Sequence, residues 1–216
     1  HRSTYMHSMM VTSTANIALA ETDRMLVIVP MFHANAWGTP YAAWMIGADL
    51  VFPQQFLQAA PLARIITDTR PTLTGAVPTV LNDLLHNGAD TDMSSLRLVM
   101  CGGSAVPLQM IRDFEEKHGV QVLQGWGMTE TSPLGTVGSL RAEQESLPAE
   151  QRYQIQVRQG RGIFGVSRKI VDDEGHELPW DGKSAGELKV RGPWVCSGYY
   201  RLEHSVAHDN DGWFAT

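Results

Sequence analysis

Short runs of strand character that alternate with helical patterns set the strongest limit on what this chain can fold into. RMLVIV (24–29) is a continuous apolar run, as expected of a strand buried on both faces. TLTGAV (72–77), LRLVMC (96–101) and VQVLQ (120–124) read as further strands, with a shorter run, DLVF, at 49–52. Between them lie helical patterns: one around Trp37 to Ile46, LARIITDT opened by Pro61, TVLNDLLH opened by Pro78, and LQMIRDFEEKH opened by Pro107 and capped by Gly119. Proline suits the first turn of a helix and glycine its end. This alternation argues an α/β fold, a parallel sheet flanked by helices.

The pattern changes after about residue 140. SLRAEQESLPAEQRYQ is polar and reads as a surface loop or short helix, whereas GVSRKIVDDEGHELP and GELKVRG read as strands, the first followed by an acidic turn. We therefore expect an α/β subdomain over 1–150 and part of a smaller antiparallel β subdomain over 151–216. The 216 residues suffice for such a core.

Composition narrows the partners. Against 17 Lys and Arg stand 23 Asp and Glu, and the net charge of −6 is spread out with no basic stripe, so nucleic acid is not an expected partner. No apolar run approaches the length of a transmembrane segment. Cys101 and Cys196, the only cysteines, read as reduced core thiols of a cytoplasmic protein rather than a disulfide or metal pair. The opening HRSTYMHSMM and closing DNDGWFAT lead us to expect a piece of something longer.

The chemistry collects after the strands. PMFHANAW follows the first, a turn at Pro78 the third, GGSAVP the fourth and GWGMTETSP the fifth. In an open α/β sheet the carboxyl ends of the strands lie along one rim, where ligands bind. Gly102 and Gly103 would let backbone approach a planar group, and Trp126, on what reads as a glycine-flanked loop, offers a flat face. Thr129 supplies a hydroxyl and Glu130 a hard anionic oxygen, and one carboxylate completed by phosphate oxygens and water is a usual way to hold Mg²⁺.

QGWGMTETSP resembles the Tyr/Trp-Gly-x-Thr-Glu motif of the adenylate-forming acyl-CoA synthetase superfamily. PMFHANAW, LRLVMCGGSAVP, GELKVRGPWVCSGYY and DGWFAT are similar to that superfamily's other motifs, in the same order. Among subfamilies, PMFHANAW looks most like the medium- and long-chain fatty acid:CoA ligases. The resemblance implies a central piece of the N-terminal domain, whose β part is a distorted barrel, and an enzyme that takes a fatty acid, ATP and coenzyme A. Gly102, Gly103, Ser104 and Ala105, with Gln124, Gly125, Trp126, Gly127, Met128 and Thr129, would line the nucleotide site. Adenine would lie between Trp126 and the Gly102–Gly103 backbone, Thr129 would bond the α-phosphate, and Glu130 would bind Mg²⁺. His33 would line the place where the acyl carboxylate meets that phosphate, and Trp37 would stand at the mouth of an acyl tunnel.

The same resemblance implies what to expect beyond the chain. A Ser/Thr/Gly-rich phosphate loop should precede HRSTY, a ribose-binding Asp should follow DGWFAT, and a lysine-bearing C-terminal lid should come later. The piece alone is then expected to form no acyl adenylate, and the apolar surface left uncovered makes a homo-oligomer plausible. Two other functions fit the residues: an aryl- or amino-acid-adenylating enzyme, and a non-catalytic nucleotide- or acyl-binding module. GRGIFG (160–165) matches a dinucleotide fingerprint in letters, but a strand follows it rather than a helix. HSVAH (204–208) has the spacing of a zinc pair without the glutamate and reads as a solvated surface pair, and DDEG (172–175) reads as a turn without the ligand ladder of a calcium loop.

Overall fold

The apolar runs become the centre of a seven-stranded sheet in the computed structural model, which describes residues 1–14, 16–202 and 207–216. β1 (Arg24–Val27), β2 (Asp49–Val51), β3 (Leu73–Ala76), β4 (Leu98–Gly102) and β5 (Gln121–Gly127) are parallel, in the order β2-β1-β3-β4-β5. β6 (Leu134–Val137) and β7 (Arg161–Gly162) extend that sheet antiparallel. The helices are α1 (Arg2–Val11), the single turn α2 (Ala34–Trp37), α3 (Thr39–Ile46), α4 (Ala59–Thr69), α5 (Pro78–Asn87), α6 (Leu108–His118), α7 (Ala142–Glu145) and α8 (Ala149–Gln156).

Strand alternation serves two cores. Met25 and Val27 of β1 and Leu98 and Met100 of β4 pack with Met10, Val11, Ala42 and Ala43 of α1 and α3. Their neighbours Leu26, Val99 and Cys101 face the other way, against Leu62, Ile66, Leu81, Leu84, Ile111 and Phe114 of α4, α5 and α6. A sheet covered on both faces is why these runs are apolar without interruption. The α/β fold class thus stands.

β8 (Ser167–Val171), β9 (Glu177–Leu178), β10 (Glu187–Arg191) and β11 (Phe214–Ala215) form a second, antiparallel sheet in the order β11-β10-β8-β9. Val190, Trp194 and Phe214 carry it onto the α1–α3 core. The expected division near residue 150 falls inside α8. β7 still pairs with β6, and the second sheet opens at Ser167.

Several expectations are corrected. Gly125, Trp126 and Gly127 are not loop but the end of β5, paired with β6 through a register shift between Trp126 and Gly127. The reason is close approach: a Cβ on Gly127 would lie 1.9 Å from the Pro133 carbonyl oxygen, so only glycine lets the chain return there. α4 begins two residues before Pro61. The helix expected from Trp37 begins at Thr39, because Ala34 to Trp37 are all left-handed, with φ of 45° to 55°. α1 has no side-chain N-cap, and its sequence does not announce it. It is held by burial of His7, Ser8, Met10 and Val11. The polar stretch after 140 contains α7 and α8, and Arg152–Glu115 (2.8 Å) and Arg112–Glu150 pairs tie α8 to α6.

Cys101 is buried as expected, but Cys196 is only half-buried, on the loop after β10; both thiols are free. GRGIFG contains β7 and leads into β8, not a helix. Part of HSVAH lies outside the described residues; His208 donates from Nε2 to the Cys196 carbonyl at 2.8 Å. Among the described residues no helix is long and apolar enough to cross a membrane. Tyr5 and Met9 of α1 and Trp44 of α3 leave apolar surface exposed.

Candidate active site

A cavity of about 360 Å³ opens where β1, β4 and β5 end. His33, Ala34 and Trp37 reach it from the segment after β1, Gly102 and Gly103 from the end of β4, and Gly125 through Glu130 from the end of β5. The turn after β3 is not part of its lining. Ser104 and Ala105 are exposed beyond it, and Gln124 is buried with its amide unpartnered, outside it as well. The other residues expected at the site converge on this one cavity.

Backbone geometry places the aromatic groups. The left-handed turn after His33 folds Trp37 back over the strand ends. Its ring comes within 3.4 Å of where a Cβ on Gly75 would be, and within 3.6 Å of one on Gly102. Four consecutive left-handed residues without a glycine are unfavourable, and such strain concentrates where a side chain must be aimed. Trp126 projects from β5 across Gly135 of β6, whose missing side chain makes room for the indole.

The Thr-Glu-Thr segment forms a 3₁₀ turn, Thr129–Thr131. Thr131 is fully buried, and its hydroxyl accepts from the Met128 N–H (3.0 Å) and lies in hydrogen-bond contact with the Pro133 carbonyl. That fixes the turn and leaves Thr129 exposed and Glu130 half-buried at the cavity.

The loop that follows β10 holds this turn from outside. The Cys196 N–H donates to the Glu130 carbonyl (2.7 Å), the Ser132 hydroxyl donates to the Trp194 carbonyl (2.7 Å), and the Tyr199 hydroxyl donates to Glu130 Oε1 (2.8 Å). Trp194, 1% exposed, also donates from Nε1 to the Leu134 carbonyl at 3.3 Å. The Tyr199 phenol is raised from its ordinary pKa, first by that bond to Glu130, which favours the protonated donor. Tyr199 thus holds Glu130 by Oε1, and Glu130 lines the cavity, where a carboxylate could serve as a Mg²⁺ ligand.

Sequence reasoning did not reach Thr131, Tyr199, Trp194 or the α1 side of the cavity, where His7, Val11 and Ile17 join the lining. Burial pushes the Cys101 thiol up to about 12, so it is no nucleophile near neutral pH although it borders the cavity. Asp172, Glu174 and His176 bring potential metal ligands within 4.8 Å on the β8–β9 turn. There Asp172 accepts from the Glu174 and His176 N–H groups, so this cluster is the turn that the sequence suggested.

The family model described as AMP-binding enzyme matches residues 1–200. The chain is 43% identical over 218 residues to the 3-methylmercaptopropionyl-CoA ligase of Ruegeria lacuscaerulensis, covering 100% of this chain and 40% of that protein. It is 43% identical over 218 residues to the medium-chain-fatty-acid–CoA ligase of Ectopseudomonas oleovorans, with the same coverage. Among solved structures it resembles the N-terminal domain of FACL13 from Mycobacterium tuberculosis (TM-score 0.83, 26% identity, 100% of this chain and 52% of that one). The chain thus spans about two-fifths of the length of these ligases. With its motifs in order and its strand ends gathered on one cavity, the chain belongs to the AMP-binding enzyme family, the adenylate-forming acyl-CoA synthetases.

Proposed function

We propose that this chain carries the nucleotide- and acyl-binding face of an ATP-dependent, AMP-forming acyl-CoA ligase for carboxylic acids of medium to long chain. The observation that carries the reading is convergence. Segments from three strand ends bring His33 and Trp37, Gly102 and Gly103, and Trp126 through Glu130 to a single cavity.

In this reading the acid's carboxylate attacks the α-phosphorus of ATP, pyrophosphate leaves, and the thiol of coenzyme A then displaces AMP from the acyl adenylate. The first step is mainly positioning and charge neutralisation, since negative charge gathers around phosphorus. Trp126 and the Gly102–Gly103 backbone hold the adenine, and the Thr129 hydroxyl donates to an α-phosphate oxygen. Glu130, oriented by Tyr199, would hold Mg²⁺, which when bound neutralises phosphate charge. His33, exposed at the cavity, would meet the carboxylate, and Trp37 would wall the acyl path. The apolar residues Val11, Ile17, Met100 and Leu123 along that wall suit a hydrocarbon chain.

The test is pyrophosphate release by the full-length protein that carries this chain, with acetate, octanoate, palmitate and benzoate. Turnover with octanoate or palmitate is expected. Preference for benzoate would turn the reading to an aryl-acid ligase, and silence with all four, with the nucleotide still bound, would leave a binding module.

A further inference from the structure

The loop after β10 grips Glu130 at two points. The Cys196 N–H donates to the Glu130 carbonyl at 2.7 Å, and the Tyr199 hydroxyl donates to Oε1 at 2.8 Å. Backbone and side chain of the one carboxylate in the cavity wall are therefore set by the same segment. That segment is itself anchored, because Trp194 and Val195 are buried and the Ser132 hydroxyl donates to the Trp194 carbonyl. Tyr199 differs from its neighbours: it is 44% exposed, so burial does not explain a tyrosine there, and the bond to Glu130 is the specific contact its hydroxyl makes. A hydroxyl on a carboxylate oxygen draws charge from that oxygen and fixes the rotation of the group. A metal ion that approaches Glu130 then meets Oε2 in preference to both oxygens together.

We propose that Tyr199 is a positioning residue that restricts Glu130 to metal binding through one oxygen, so that the nucleotide site selects Mg²⁺ over Ca²⁺. The assignment rests on the acyl-CoA ligase reading, in which Glu130 holds the metal of the bound nucleotide. The two ions differ on this point. Mg²⁺ is small, demands near-octahedral geometry and takes a single carboxylate oxygen, with phosphate oxygens and water completing its shell. Ca²⁺ is larger, takes more oxygens and often both of one carboxylate. A carboxylate held at Oε1, on a backbone held by Cys196, cannot swing to present both. The tether persists at neutral pH, since the bond to Glu130 raises the Tyr199 phenol above its ordinary pKa and keeps it a donor.

The experiment uses the full-length protein, as wild type, Tyr199→Phe and Glu130→Ala. The dissociation constant for ATP is measured by calorimetry without divalent ions, with Mg²⁺ and with Ca²⁺, alongside thermal unfolding and pyrophosphate release. In wild type Mg²⁺ is expected to strengthen ATP binding about fivefold or more beyond what Ca²⁺ does. Tyr199→Phe, which keeps the ring and removes the donor, should shrink that ratio by about threefold or more, and Glu130→Ala should bring it close to one. A merely structural tyrosine would lower the melting temperature and weaken ATP with both ions alike, leaving the ratio standing. The proposal is overturned if wild type favours neither ion, if the ratio survives in Tyr199→Phe or in Glu130→Ala, or if ATP does not bind. Ion-selective binding without pyrophosphate release would sink the ligase reading alone, because the ratio still decides the role of Tyr199.

Discussion

Replacing Gly135 with alanine tests whether Trp126 is the adenine platform without altering any residue that lines the cavity. A Cβ there would stand 2.6 Å from Cζ3 and 2.9 Å from Cε3 of the indole, whereas unbonded carbons rest at about 3.5–4.0 Å. The ring must then shift by about 1 Å, or β6 must part from β5. Overpacking of this kind costs about 1–3 kcal/mol, which for a domain of this size lowers the melting temperature by about 3–10 °C. An adenine stacked on the displaced ring is expected to lose about 1 kcal/mol of aromatic contact, or roughly five- to tenfold in the dissociation constant for ATP. Calorimetric titration with ATP and thermal unfolding of the full-length protein read the two effects separately. A lower melting temperature with ATP affinity unchanged within about twofold would refute the platform role. No change in either would refute the packing of Trp126 on Gly135.

Three further outcomes are expected. Glu130→Ala should lower pyrophosphate release by about 10²–10³-fold and abolish the response of ATP affinity to Mg²⁺ in calorimetry; retained Mg²⁺ dependence would move the metal site elsewhere. Asp23 is 6% exposed and, although burial raises its pKa, hydrogen bonds from Arg97, Thr72 and the Ala20 N–H outweigh that and hold it below the usual carboxylate value. Its contribution is therefore complete above the unfolded value of about 3.9 and disappears as pH falls through the lower folded one. Asp23→Asn should cost about 1–3 kcal/mol at pH 7 and flatten the loss of stability below about pH 4, as read by urea unfolding across pH. Iodoacetamide at pH 8 should label the half-buried Cys196 well before Cys101 in the native protein, by mass spectrometry; equal rates would contradict the burial of Cys101.

The central strands were legible because burial on both faces leaves its mark locally: after Arg24, MLVIV must be apolar at every position for Met25 and Leu26 to enter opposite cores. The proline-opened helices were legible for the same local reason, since Pro78 and Gly119 act on their own turns. The requirement for glycine in GWG was not local. It comes from Pro133 returning within 1.9 Å of where a Cβ on Gly127 would stand, and nothing in the three letters distinguishes a loop from a strand whose neighbour passes too close for a side chain. α1 was missed because it is shaped by what packs on it and not by its own periodicity.

The candidate site divides along the same line. The groups that would meet ATP stand in contiguous motifs, so sequence order was enough to gather them. The groups that hold them in place are remote: Tyr199 reaches Glu130 across 69 positions, and Ser132 meets Trp194 across 62. Both tethers come from the segment that follows β10, whose buried Trp194 also stands against His7 of the first helix. The Thr129–Thr131 turn is therefore set by Thr131 from within and by the loop after β10 from without. A change that loosens the loop after β10 should thus reach the nucleotide side through the Glu130 tethers, even though the substituted residue does not touch the nucleotide.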